Sequence, residues 1–179
     1  DSIIENLSVS GSVVGNNHVG SVVGRLTYGK VERVYNTASV EAKSNYAGGI
    51  AGLIGNSTGY YDNNGLTAHV KNTYNNGTVT AKSVASGITT VQYYNGYHLK
   101  YWGYIYTSYN TGLVYSAGDK YGVGNTNIVS SYYDVNKMGS YEVLYTSKPR
   151  MTTGWVESDA LLYGNATSLK WDNSVCITI

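Results

Sequence analysis

The stretch Ala47-Gly48-Gly49-Ile50-Ala51-Gly52-Leu53-Ile54-Gly55 constrains this chain more than any other, because it recurs. A weaker copy, Val19-Gly20-Ser21-Val22-Val23-Gly24-Arg25-Leu26, starts 28 residues earlier. A worn one, Ala85-Ser86-Gly87-Ile88-Thr89-Thr90-Val91, starts 38 residues later. A second pattern runs between these copies. It reads Ile4-Glu5-Asn6-Leu7-Ser8-Val9-Ser10-Gly11-Ser12-Val13, then Val31 to Val40, Val70 to Val79 and Ile105 to Val114, with a partial fifth copy, Val129-Ser130-Ser131-Tyr132-Tyr133-Asp134. Four copies keep an aliphatic residue at the first and tenth positions and a small one at the eighth. Three carry Tyr-Asn in the middle, and the fifth carries Tyr-Asp. Five copies of one pattern signal internal repetition.

One such unit, two or three short β-type segments broken by Gly, Asn and Ser turns, cannot bury its apolar face alone. Stacked copies align equivalent aliphatics into one core, and each backbone pairs with the copy above and below. Glycine costs about 0.5–1 kcal/mol in a strand interior, so the recurrent glycines indicate tight corners or close backbone approach. Uneven repeat length is tolerated if extra residues leave from one corner. The expected architecture is all-β, a parallel β-solenoid (β-helix) taken as right-handed, over residues 1–135, closed by a capping segment over 136–179. A β-sandwich is the alternative, but matching residues at matching positions favour stacking.

Composition supports strands and narrows function. Charged residues make up only 13%, so Asn, Ser, Thr and Tyr must supply the polar surface. The chain is rich in Gly, Tyr and β-branched residues, which favours strands and turns over helices. The net charge of +1 is far from a basic footprint, so nucleic acid is not an expected partner. No apolar run reaches membrane-spanning length, so no membrane insertion is expected, and no signal peptide is read. The single cysteine, Cys176, cannot form an internal disulfide and reads as a small buried apolar residue. A start at Asp1 without Met and an uncapped first repeat suggest a piece of a longer protein.

Tyr93, Tyr94, Tyr97, Tyr101, Trp102, Tyr104, Tyr106 and Tyr109, with His98 and Lys100, crowd one stretch. Flat rings with polar tips suit sugars or peptide partners, and Tyr97, Tyr101, Trp102 and Tyr104 are the candidate ligand-binding residues. The same rings also suit a covering over a widened repeat. Recurrent Tyr35, Tyr74, Tyr109 and Tyr133 read as a structural stack. Asp62-Asn63-Asn64-Gly65 is a turn, and it lacks the later acidic residue of a calcium loop. Residues 154–163 read as a short helix within the cap, with Ser158 as N-cap.

No catalytic, metal-binding or cofactor-binding residues are assigned. His18, His69 and His98 are scattered, and no His-Glu-x-x-His, Gly-x-Ser-x-Gly, phosphate-loop or Cys-x-x-Cys pattern occurs. The carboxylates are dispersed. Asn-x-Ser/Thr matches at Asn6, Asn56, Asn76 and Asn165 follow from the composition and carry no glycan assignment.

Gly48-Gly49-Ile50-Ala51-Gly52-Leu53-Ile54-Gly55 followed by Val-x-x-x-Tyr-Asn-x-Gly-x-Val resembles the GLUG repeat, over roughly residues 3–135. Only the second copy is strict. Tyr132-Tyr133-Asp134 with Lys137-Met138-Gly139, and Leu169-Lys170-Trp171, resemble the segments that close such arrays. The resemblance implies a secreted or surface-attached bacterial protein, of the kind seen in adhesins and in non-catalytic parts of immunoglobulin A-cleaving zinc metalloproteases. The expected role is a non-catalytic adhesive surface or rigid spacer, located extracellularly or on the cell surface. Host glycans, extracellular proteins and neighbouring domains of a longer parent chain are the expected partners. The alternatives are an accessory, substrate-docking part of an extracellular protease, a solenoid carbohydrate-active enzyme, or a fibre-type trimer.

Overall fold

The computed structural model describes residues 2–55, 67–94, 100–101, 103–134 and 137. The turn at 62–65, Tyr97, His98, Trp102 and, apart from Lys137, the expected cap over 136–179 lie outside the described residues. The described chain is all-β with no α-helix, and its strands form four parallel sheets and one small antiparallel pair.

Each parallel sheet is built from equivalent segments of successive repeats. The first and widest contains Ser2–Val9, Gly29–Asn36, Ala68–Asn75, Gly103–Tyr106 and Ile128–Val129, with Tyr109–Asn110 and Tyr132–Tyr133 continuing the last two repeats. The second holds Ser12–Gly15, Ser39–Ala42, Val79–Ala81 and Val114–Ser116. The third holds His18–Gly20, Tyr46–Gly48, Val84–Ser86 and Asp119–Tyr121. The fourth holds Val23–Leu26, Ala51–Ile54 and Thr90–Val91. Length variation falls at the corner between the fourth sheet and the first. Two residues separate Leu26 from Gly29, whereas residues 55–67 intervene in the second repeat and 92–102 in the third. The third-repeat insertion includes the antiparallel pair Tyr93–Tyr94 and Lys100–Tyr101.

Like residues stand beside like. Ile4 pairs with Val31, Val31 with Val70, and Val70 with Ile105. Val13, Val40, Val79 and Val114 form a second such row. Val31, Val70, Ile105, Val79 and Val114 are fully buried, each side chain contributing about 1.5–3 kcal/mol by leaving water. One core cluster joins the first and fourth sheets through Val34, Ile50, Ile54, Ile88 and Ile105, and a second joins the second and third sheets through Val40, Ala47, Val79 and Ala85. The first-repeat strands are the edges of all four sheets, and there Ile3, Leu7 and Val14 stay exposed.

A bend recurs in every repeat of the first sheet. Asn6, Arg33, Asn72, Thr107 and Ser130 all have φ between 42° and 59°, the left-handed region. In a plain strand, residues three apart face opposite sides. The bend resets that alternation, as a β-bulge does, so Val31 and Val34 both point inward.

Pairing corrects three sequence alignments. The fifth copy starts one residue earlier than expected: Ile128, not Val129, sits beside Ile105, and Val129 is exposed. Tyr132, not Tyr133, therefore extends the tyrosine row, beside Tyr109. In the worn glycine copy, Ala85 lies beside Ala47, but Thr90 and Val91 pair with Leu53 and Ile54 because the turn between has lost a residue. A fourth glycine copy, Lys120-Tyr121-Gly122-Val123, is recognisable only from the strand pairing. It lies against the third through Gly87 N–H to Tyr121 O and Ile88 N–H to Val123 O, both 2.9 Å.

The recurrent asparagines form a buried carboxamide ladder. Asn36 Nδ2 donates to Asn75 Oδ1 at 2.7 Å, and Asn75 Nδ2 donates to Asn110 Oδ1 at 2.7 Å. Each amide also clasps its own chain two residues on. Asn75 accepts from Gly77 N–H at 3.2 Å and donates to Gly77 O at 2.9 Å, and Asn36 and Asn110 do the same with Ala38 and Gly112. Asn75 thus fills two donor and two acceptor positions while wholly buried. The neighbouring glycines leave room for it. A Cβ on Gly49 would lie 2.1 Å from Gly87 O and 2.4 Å from Asn75 Cγ, and one on Gly87 would lie 2.0 Å from Gly122 O and 2.5 Å from Asn110 Cγ. Beside this ladder runs a hydroxyl row. Thr73 Oγ1 donates to Ser108 Oγ at 2.9 Å, and Ser108 N–H donates to Ser131 Oγ at 3.1 Å.

Asn75→Ala should lower stability in urea unfolding by about 3 kcal/mol or more, because it strips partners from two amides and one turn in a dry interior. Gly49→Ala should cost at least as much, since backbone bounds the site. Exposed Asn76→Ala should stay within about 1 kcal/mol of the parent protein. A Gly49→Ala protein with an unchanged urea midpoint would contradict this packing.

Candidate functional site

Among the described residues, the outer face of the first sheet brings charged and aromatic side chains together. Alternation sends two residues per repeat outward before the bend. Register then lines up Ile3, Lys30, His69 and Tyr104 in one row, and Glu5, Glu32, Lys71, Tyr106 and Val129 in the next. Neighbouring strands stand about 4.8 Å apart, so these side chains form a compact grid.

At one end of the grid is a three-ring cluster. His69 lies 5.8 Å from Tyr104 and 5.6 Å from Tyr106, and the two tyrosine rings are 5.9 Å apart at 14°. All three side chains are half-buried, so each keeps accessible surface. His69 Nε2 is engaged by Thr67 Oγ1, which fixes the ring. Burial first, and then the charge of Lys71, push the His69 pKa below its ordinary value. Burial, with a smaller contribution from Tyr104, raises the Tyr106 pKa. At neutral pH the His69 imidazole is therefore neutral and the Tyr106 hydroxyl keeps its proton.

At the other end, charges are paired. Arg33 donates to Glu5 and Glu32, each at 2.6 Å, and Lys30 donates to Glu32 at 3.1 Å. The Lys30 hydrogen bond, with Arg33, holds the Glu32 carboxyl below the usual range. Glu5 and Glu32 are adjacent, yet Glu32 is held ionised, which suits an ion pair and not a proton donor. Among the described residues, no group of three or more His, Cys, Asp or Glu is placed to hold a metal ion.

Of the four residues expected to bind ligand, Tyr104 is in this cluster. Tyr101 lies in the antiparallel pair two residues before Gly103–Tyr106, where only its backbone is described. Tyr97 and Trp102 lie outside the described residues. Sequence reasoning did not assign His69 and Lys71 to the site. Their signal was their place in the repeat: both flank Val70, the aliphatic that matches Ile105. The structural tyrosine row is a separate feature. Tyr35 and Tyr74 stack at 5.1 Å, Tyr74 and Tyr109 at 4.2 Å, and Tyr74 Oη is 2.7 Å from Thr111 Oγ1. Such contacts add about 0.5–1.5 kcal/mol each and bind adjacent repeats together.

Comparison with protein-family models, characterised proteins and solved structures finds no match to this chain.

His18, stacked on Tyr46 at 5.4 Å, is also shifted down, by burial and then by Arg25. Both histidines should titrate below 6.5 in the folded protein. A depressed histidine binds protons more readily when unfolded, so its stability contribution is complete above 6.5 and declines as pH falls toward the folded pKa. The urea midpoint should fall between pH 7.5 and 5.5, and His18→Gln with His69→Gln should flatten that slope. NMR titration of either imidazole above 6.5 would refute the assignment.

Proposed function

We propose that the described chain is a right-handed parallel β-solenoid. We further propose that it serves as a non-catalytic repeat module of a secreted or surface-attached bacterial protein, with the outer face of the first sheet as its adhesive surface. The observation that carries the reading is the His69–Tyr104–Tyr106 cluster, three partly accessible rings within 6 Å of one another on a rigid sheet. Aromatic faces with polar tips offer large contact area at low conformational cost. Placement on paired strands keeps the rings pre-arranged, so binding orders little further structure. The repeat pattern's resemblance to GLUG arrays supports the bacterial-surface setting. A spacer role is the second reading. It is favoured by the polar ladders, which tie successive repeats together and stiffen the stack.

A glycan and extracellular-protein array tests the first reading. The parent protein should retain at least one ligand, and Tyr104→Ala with Tyr106→Ala should weaken it about tenfold or more while leaving the urea midpoint nearly unchanged. Tyr115→Ala, an exposed tyrosine on a different sheet, should bind as the parent does. Full retention of binding in the double variant would remove the face from consideration. No ligand on any array would leave only the spacer.

A further inference from the structure

We infer that the occupant of this face is an anionic saccharide, stacked on Tyr104 and Tyr106 with its acidic group on Lys71; this rests on the adhesive reading above. The charges on the grid are unequal in their commitments. Arg33 and Lys30 are spent on Glu5 and Glu32, through three contacts of 2.6–3.1 Å. Lys71 is exposed and, among the described residues, forms no ion pair. It is the register partner of Tyr106 on one side and, on the other, of Glu32, whose carboxylate is engaged by Lys30 and Arg33; each lies one strand step of about 4.8 Å away, and His69 is two residues along the strand. A single pyranose ring on the tyrosines therefore brings an attached acidic group within reach of the Lys71 ammonium.

The surroundings discriminate among ligands that favour aromatic faces. A quaternary ammonium would suit the rings alone through cation–π attraction, but Lys71 repels it at this range. A purely apolar peptide would leave the ammonium and the phenol hydroxyls against a surface that cannot bond them. A saccharide gives C–H faces to the rings and hydroxyls to the phenol tips, and its anionic group gives Lys71 the ion pair that it does not form among the described residues. Lysine acts as a point charge, so carboxylate and sulfate are both accepted in principle.

Calorimetry on the parent chain should compare oligogalacturonate, a heparin-derived oligosaccharide and a neutral galactan oligosaccharide, at low salt and at 0.5 M NaCl. At least one anionic probe should bind about tenfold tighter than the neutral one at low salt, and salt should erase most of that margin. The two anionic arms show whether carboxylate or sulfate is preferred. Lys71→Gln should erase the margin and leave the neutral affinity, Lys71→Arg should restore it, and Tyr104→Ala with Tyr106→Ala should weaken all three probes. Equal binding of neutral and anionic probes would overturn the inference and leave the adhesive reading standing. So would anionic binding indifferent to Lys71, or capture of an extracellular protein with no saccharide. Absence of any ligand would overturn both.

Discussion

The carboxamide ladder of Asn36, Asn75 and Asn110 sets terms that the rest of the stack obeys. A buried amide is tolerated only if its donors and acceptors are met, and Asn75 meets half of them through its own turn at Gly77 and half through the asparagines of the repeats on either side. The two 2.7 Å bonds run in one direction, donor to acceptor, from the second repeat to the fourth. Shifting one repeat by a single residue would break them and leave several polar atoms in a dry interior. Apolar columns alone would not impose that penalty, because neighbouring aliphatics exchange places at little cost. The ladder thus specifies register, while Val31, Val70, Ile105 and their neighbours supply most of the burial.

Glycine placement follows from the same constraint. Gly49 and Gly87 face the amides of the next repeat at distances no side chain permits, and Gly77 and Gly112 close the turns that the amides clasp. The ladder ends where the fifth repeat has Tyr133 beside Asn110, and a Cβ on Gly122 would meet that ring at 2.2 Å. In the first repeat, Val9 stands at the asparagine position and Ser21 at the glycine position beside Gly49. The Ser21 hydroxyl is buried there and has no hydrogen-bond partner among the described residues. With register fixed from inside, the outer face of the first sheet is free to vary. It changes from paired charges to aromatic rings across three repeats without disturbing the interior.

The sequence revealed the stack because the inward aliphatics recur at matching positions in repeats of unequal length. It revealed Tyr104 because aromatic crowding is visible in a short window. It concealed the ladder, since asparagine is also the commonest turn residue, and only the small residue two places after each Asn separated the two roles. The fifth repeat can be read in either of two frames from sequence, because Ile128 and Val129 are both aliphatic and Tyr132 and Tyr133 both aromatic. The fourth glycine copy was hidden by Lys120 and Tyr121, which share no side-chain character with Ala85 and Ser86. His69 and Lys71 lie 35 residues from Tyr104 and Tyr106, and only strand pairing brings them together.

The most direct test is side-chain amide NMR of Asn36, Asn75 and Asn110. The account requires slow solvent exchange of the Asn75 Nδ2 protons, together with cross-peaks linking the amide groups of consecutive asparagines. Rapid exchange, or amide protons in contact with solvent and distant from one another, would contradict the ladder and the register built on it.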